Sequence, residues 1–339
     1  MKINIANLKP LQQNIPSVST GWSVKDYLGT FKVRWGIGRD HYSVTPGLYK
    51  VGHPNSESDV FVSASYKLSF DLLRKNLSGL NGWILVIDTR GVNVWCAAGK
   101  GTFGTESIVK EVRNTSLDLI VKHRKLIVPQ LGAPGVAAHL VKELTGFRVI
   151  YGPVRAKDIK SFMEAGYKAT PEMREITFPA RERAKLIPVD LMYGKYKLLI
   201  ALTIMFILSG IDKSGLLLSK MLSTSLFPVV GIIGAYIAGI VLTPLLLPYI
   251  PFRAFSAKGA ILGALTTFIL YFLFSSKTLE TFSIGLISMG IASFVAMNFT
   301  GSSTFTSLSG VKKEMKWSIP FQIAFTSIGC IVFITSKLI

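Results

Sequence analysis

The residues best suited to chemistry in this chain lie in "GVNVWCAAGKGTFGT", residues 91–105, where Cys96 closes an apolar run and a glycine-rich stretch follows at once. A phosphate cradle, a nucleophile and a metal ligand are all open to that combination. Gly99, Gly101 and Gly104 satisfy G-x-G-x-x-G, which holds a dinucleotide pyrophosphate when it follows a strand and opens a helix. Asp118 lies near the distance expected of a ribose-binding acid, yet it sits within "TSLDLIVKHRK", where no strand end is evident. "AGKGT" fails as a Walker A loop, because Val94 stands where a glycine is needed and Gly101 where Ser or Thr must follow Lys100. Nucleophilic catalysis by Cys96 stays open, although none of His41, His53, His123 and His139 is spaced to mark it as the base.

Metal chemistry is bounded by the cysteine count. Cys96 and Cys330 are the only two, which excludes a disulfide framework, a four-cysteine zinc site and an iron–sulfur cluster held by this chain. Electrons for a bound cofactor must therefore come from elsewhere. His123 and His139 have no paired ligand at zinc spacing, and the histidine-type corrinoid motif D-x-H-x-x-G is absent because Asp40 and His41 are adjacent.

The elements that position these residues read as an α/β domain over residues 1–190. "DVFVSASY", "GWILVIDT", "VNVWCAA", "KLIVPQLG" and "FRVIYGPV" are strand candidates, and the second is apolar on both faces, as in a covered parallel sheet. Between them, "KLSFDLLRKNLSGL", "TESIVKEVRN" with Thr105 as its cap, "APGVAAHLVKELTG" and "RAKDIKSFMEAG" read as helices. Alternation of this kind predicts a Rossmann-like, mostly parallel sheet with helices on its faces, whose ligands bind beyond the carboxyl ends of the strands. The glycine stretch lies at one such end and "QLGAPG" at another, so Ser63 and the loop Gly132, Ala133, Pro134 and Gly135 are expected to face a ligand, with Arg155 placed to neutralise an acidic group.

Residues 191–339 differ in kind. From Lys195 onward there are only eleven Lys/Arg and three Asp/Glu. Apolar stretches recur at about 197–211, 225–250, 257–274, 281–299 and 318–335, which predicts an all-α transmembrane domain of about five helices. The first residues lack a signal peptide, so the α/β part is expected in the cytoplasm, attached to a multi-pass (inner) cell-membrane domain. Arg253, Lys258, Lys312, Lys313 and Lys316, with Lys195 and Lys197, then fall on the cytoplasmic side, opposite Lys213, Lys220, Lys277 and Lys337. The net charge of +19 is scattered rather than gathered in a stripe, which favours anionic membrane lipid over nucleic acid as its partner.

The run "NVWCAAGKGTFGT" resembles the corrinoid-binding motif of the membrane-bound corrinoid proteins of bacterial mercury methylation. The soluble part is in turn similar to the corrinoid domain of the large subunit of the corrinoid iron–sulfur protein of the acetyl-CoA pathway. The resemblance extends through "PGLYKVG", "SASYKLSFDLLR", "GWILVIDTRGVNVWCAAGKGTFGT", "RKLIVPQLGAPGVAAH" and "GFRVIYGPVRA", and on to "NFTGSSTFTSLSGVKKEM".

It implies a cobalamin-type corrinoid bound base-off, with the Cys96 thiolate as lower axial ligand to cobalt; the iron–sulfur relatives have no cysteine at this position. It also implies cofactor contacts along Asn93, Val94, Trp95, Cys96, Ala97, Ala98, Gly99, Lys100, Gly101, Thr102 and Phe103. The implied activity is transfer of a methyl group from methylcobalt(III) to Hg(II), giving methylmercury. A small ferredoxin with two [4Fe-4S] clusters would return the cobalt to its reduced state, and a donor linked to methyl-tetrahydrofolate would supply the methyl group.

The residue types agree with that implication. Thiolate is a soft, strongly donating ligand for a polarizable transition metal. The small residues after Cys96 let backbone approach a flat macrocycle. Trp95 and Phe103 are expected to flank the ring, and Lys100 to meet one of its oxygens. A Ser/Thr-rich stretch, Thr300 to Met315, is expected to be a cytoplasmic docking surface, and Cys330 to be a small packing residue in the last span. Two other readings stand beside this one: a membrane-bound NAD(P)-dependent oxidoreductase, and a corrinoid carrier that hands methyl groups to another protein.

Overall fold

The computed structural model describes residues 15–300 and 308–339, which form two compact units dividing at Ile176/Thr177, with Arg34–Gly36 grouped with the second.

The first unit is built on a six-stranded sheet. Its strands are β1 (Ser17–Val18), β2 (Gly47–Val51), β3 (Val60–Ala64), β4 (Gly82–Ile87), β5 (Lys125–Val128) and β6 (Arg148–Tyr151). They are ordered β1-β2-β4-β3-β5-β6. β4, β3, β5 and β6 run parallel, whereas β2 joins β4 antiparallel and carries β1 alongside it. The helices are α1 (Val24–Arg34), α2 (Lys67–Asn76), α3 (Val94–Lys100), α4 (Thr105–Asn114), α5 (Ala138–Thr145) and α6 (Ile159–Glu164).

Successive side chains of a strand point to opposite faces, and β4 shows what that does here. Trp83, Leu85 and Ile87 join a core with residues of α3, α4 and α5, while Ile84 and Val86 join a second core with Phe70, Leu73, Ile159 and Phe162. Both faces of the sheet are thus covered, as the unbroken apolar run predicts.

From β3 the chain steps outward to β4, then returns past β3 to β5 and on to β6. The direction reverses between β3 and β5, and in open α/β sheets a crevice forms beyond the carboxyl ends of the strands at such a switch. The loops after Ala64 and Val128 flank it.

Two expectations about elements are corrected. "VNVWCAA" is not a third strand, because Asn93 caps a helix there and Val94–Lys100 is helical. Thr105 is not the cap of α4, a place taken by Gly104; its hydroxyl instead accepts the Ala137 N–H at 2.8 Å.

The second unit contains five helices long and apolar enough to cross a membrane: Ala180–Leu208, Leu226–Leu245, Phe255–Phe274, Thr278–Phe299 and Ser309–Leu338. Its main segments are α7 (Ile187–Leu208), α8 (Leu226–Ile237, continued by a π-helical turn, Ala238–Leu242), α9 (Phe255–Phe274), α10 (Thr278–Thr300) and α11 (Leu308–Leu338). Between α7 and α8 the chain makes a two-stranded hairpin at Ile211–Asp212 and Gly215–Leu216. Polar groups inside the bundle pair across helices, as Gln322 Nε2 does with Ser293 Oγ at 2.9 Å. Of the Ser/Thr-rich stretch, residues 301–307 lie outside the described residues, and from Leu308 onward the chain is helix, not loop.

Candidate functional site

The site is built at the carboxyl end of β4. Asp88 to Asn93 form a tight, internally bonded turn: Asp88 Oδ1 accepts the Arg90 N–H at 2.9 Å, and the Thr89 hydroxyl donates to Val92 O at 2.6 Å. Ser65, just past the end of β3 and 2% exposed, ties this turn to its neighbouring strand. Its Oγ accepts the N–H groups of Thr89 and Gly91 at 3.1 and 3.2 Å. Buried donors left unpaired are costly, so these bonds fix where α3 begins.

Asn93 then starts α3, its side-chain oxygen accepting the Cys96 N–H at 2.9 Å. Cys96 therefore occupies the third position of the helix, in its first turn. Gly101 stops the helix in left-handed conformation at φ 79°, donating its N–H to the carbonyls of Ala97 and Ala98.

Helical spacing sorts the segment into two faces. Val94, Ala97 and Ala98 are buried against the core; Cys96, Gly99 and Lys100, at i, i+3 and i+4, share the exposed face. A methyl group on Gly99 would meet nothing within 4 Å. The outward face of α3 thus carries a thiol, a hole and a cation in adjacent positions. Asn93, Trp95 and Thr102 are half-buried, and Gly101 is exposed.

The loop after β5 is held hard against this helix. A methyl group on Gly132 would collide with the Phe103 ring, and one on Gly135 with the Phe103 carbonyl. Tyr151, at the end of β6, donates its hydroxyl to Val136 O at 2.6 Å, and Thr105 pins Ala137 from the other side. Gly132 is buried, Gly135 and Ala133 are half-buried, and Pro134 is exposed.

The expected contacts are therefore placed unequally. Phe103 is completely buried in the core and has no free ring face, so its expected role of flanking a ring ligand is corrected to packing. Ser63 is 3% exposed and turns its hydroxyl to Ala64 O, at 3.3 Å. Arg155 is half-buried just beyond β6. Ser65, Thr89 and Tyr151, which hold the site together, are absent from the sequence reading, and Thr105 figures there only as a helix cap; the Asn93-to-Gly101 cap pair was the available signal for the helix they support. Cys330 is half-buried in α11, packed with Met205 and Phe333, away from any solvent-facing chemistry.

The G-x-G-x-x-G pattern dissolves in this geometry. It begins inside the last turn of α3 rather than after a strand, Gly101 is a helix stop, and Gly104 is small because a side chain would press on Gly135 O at 3.1 Å. Among the described residues no three of His, Cys, Asp and Glu gather to hold a metal ion. A metal bound through Cys96 must therefore arrive with other ligands of its own.

Residues 29–163 match the family model for the CO dehydrogenase/acetyl-CoA synthase delta subunit. The chain is 28% identical over 131 residues to the acetyl-CoA decarbonylase/synthase complex subunit gamma of Archaeoglobus fulgidus, covering 38% of this chain and 27% of that one. With the corresponding subunit of Methanopyrus kandleri it shares 30% identity over 128 residues, 37% of this chain and 27% of that one. With the corrinoid/iron-sulfur protein large subunit of Moorella thermoacetica it shares 31% over 120 residues, 35% and 26% of the two chains. The chain spans about a quarter of the length of these relatives, and the family match ends before the five long apolar helices begin. The α/β part of this chain is therefore a distant homologue of the gamma subunits of the acetyl-CoA decarbonylase/synthase complex and of the corrinoid/iron-sulfur protein large subunit.

Proposed function

We propose that the α/β unit binds a cobalamin-type corrinoid base-off, with the Cys96 thiolate as its lower axial ligand, and that the chain is a methyltransferase acting on Hg(II). The observation that carries this reading is the exposed face of α3, where Cys96, Gly99 and Lys100 stand together in a segment homologous to a protein named for its corrinoid. The residues present fit such a group. One thiol suffices for a metal that brings its equatorial ligands with it, and the open space at Gly99 admits a flat ring close to the backbone.

When bound, the corrinoid supplies a metal-held methyl group. Cys96 would hold the corrinoid through a soft, electron-rich sulfur, a donor suited to methyl transfer toward a soft electrophile such as Hg(II). Gly99 leaves the approach clear, and Lys100 offers a cation to an oxygen at the edge of the cofactor. Ala97 and Ala98, buried beneath, keep the helix seated on the sheet. The chain has too few cysteines for a cluster of its own, which is why an external ferredoxin with two [4Fe-4S] clusters is the proposed reductant. A donor linked to methyl-tetrahydrofolate is the proposed methyl source.

The five apolar helices are proposed to anchor the chain in the cell membrane with the α/β unit on the cytoplasmic side, supported by the placement of Arg253 just before α9 and of Lys312, Lys313 and Lys316 near the start of α11. Homology to a corrinoid/iron-sulfur subunit also favours a second reading, in which the chain only carries methyl groups to another protein.

One experiment separates the two. Full-length protein loaded with methylated corrinoid is incubated alone with Hg(II), and methylmercury is measured. Formation of methylmercury is expected, and a pure carrier forms none. Cys96→Ala should abolish it and change the visible spectrum of the bound corrinoid, whereas Cys96→His should retain part of both, since imidazole also binds cobalt. Full activity in Cys96→Ala would refute the ligand role.

A further inference from the structure

A cavity of about 900 Å³ lies within the five-helix unit where α9 and α11 begin. Its walls are mostly apolar, with Leu247, Pro248, Phe252 and Trp317 among them. Three cations line it. Lys258 is only 7% exposed, and its ammonium donates to the carbonyls of Leu247 and Ile250, the latter at 2.9 Å. An ammonium has three hydrogens, so one remains for a ligand. Arg253 and Lys313 are exposed, and among the described residues neither is paired with a carboxylate.

Glu314 is the one acidic residue of the lining, and it is already committed: 9% exposed, it accepts the Ser256 N–H at 2.7 Å and so caps the start of α9 from α11. The cavity therefore keeps a net positive charge beside an apolar wall. Phe252 adds a mark of a built site, holding a left-handed backbone at φ 77°, a conformation costly for a bulky residue. Trp317 and Phe252 are also exposed, the placement aromatic residues take at a membrane–water interface.

We infer that this cavity binds an anionic phospholipid, its phosphate held by Arg253 and Lys313 near the buried ammonium of Lys258, and an acyl chain lying along Leu247, Phe252 and Trp317. Basic pockets between membrane helices select anionic headgroups in this way. The inference rests on the membrane reading of the five helices, which has its own test: the chain should stay with membranes in alkaline carbonate and leave them only in detergent.

The site itself is tested by native mass spectrometry of the detergent-solubilised full-length chain, titrated with phosphatidylglycerol or phosphatidylcholine of matched acyl length. The native chain should prefer phosphatidylglycerol. Removing charge in R253Q/K313Q should weaken phosphatidylglycerol by about fivefold per cation, roughly twenty-fivefold in all, and leave phosphatidylcholine unchanged. R253K/K313R keeps the charge and should keep the preference, which separates charge from folding. Equal binding of the two lipids by the native chain, or an undiminished preference in R253Q/K313Q, would overturn the proposal. So would displacement of phosphatidylglycerol by millimolar inorganic phosphate, which would mark a site for free phosphate.

Discussion

Replacing Gly99 by alanine sets folding against binding. Gly99 lies in the last turn of α3 with ordinary helical backbone, and its added methyl would meet no atom within 4 Å. Alanine is favoured over glycine in a helix by roughly 0.5–1 kcal/mol. In a terminal turn the lower figure applies, so the cofactor-free chain should gain about 0.5 kcal/mol and melt about 1–2 °C higher. If the corrin ring rests on the face shared with Cys96, the same methyl stands between ring and backbone. Overpacking of that kind costs about 1–3 kcal/mol, a loss of roughly fivefold to a hundredfold in affinity. Spectroscopic titration of full-length Gly99→Ala with the corrinoid, beside its thermal melt without it, reads both quantities. A more stable chain that binds worse is expected. Native-like affinity would remove Gly99 from the binding face, and a lower melting temperature would show that packing, not a ligand, requires the glycine.

The remaining predictions concern what holds α3 and α1 in place. Ser65→Ala leaves the buried N–H of Thr89 and the half-buried N–H of Gly91 without their acceptor and should cost about 1–3 kcal/mol, read as faster hydrogen exchange at residues 89–93. Asp26 joins α1 to α2 through Lys67 at 2.9 Å and Arg74 at 2.9 Å. Burial pushes its pKa up, but hydrogen bonds from Lys67, Ser23 and Arg74 outweigh that and hold the carboxyl well below the usual range. A depressed folded pKa gives stability that is present above the ordinary aspartate value, about 3.9, and lost as pH falls below it. Protection of α1 amides should therefore drop in acid. Asp26→Asn should remove that pH dependence at a cost of about 1–2 kcal/mol, less than for a broken buried pair, because Asp26 is half-buried and Asp71 still holds both cations.

The sequence shows the architecture where the signal is periodic and local. Alternating strands and helices, the unbroken run in β4 and the five apolar stretches all follow from side-chain period and length, and all appear in the structure. The strand order does not, since nothing local in Gly47–Val51 says that it will pair antiparallel with β4. α1 was legible but not read: Val24, Tyr27, Leu28 and Phe31 stand at i, i+3, i+4 and i+7, a helical apolar stripe, although in the structure that stripe is exposed rather than packed on the sheet. The first long helix begins earlier than the apolar stretch at 197 because Pro188, Asp190 and Lys195 interrupt hydropathy without interrupting the helix. At the site, the β-branched and aromatic residues of "VNVWC" imitate a strand. The stronger evidence was the bracketing pair, Asn93 as start and Gly101 as stop, which fixes a helix whatever lies between.

That change from strand to helix alters the chemistry more than the fold. On a strand, Cys96 and Ala98 would share one face, and Gly99 and Lys100 would be split between opposite faces. On a helix, Cys96, Gly99 and Lys100 come together on the face open to solvent. The three glycines of the apparent nucleotide motif then separate by cause. Gly101 is required by its left-handed backbone and Gly104 by the carbonyl of Gly135, so both would be glycine with no ligand at all. Gly99 has neither reason. It carries the helix-destabilising cost of glycine with no contact inside the chain to offset it. The proposed corrinoid would supply a reason: a rigid, flat ligand held by Cys96, one turn away, would need the Gly99 backbone bare, while nothing in the fold itself does.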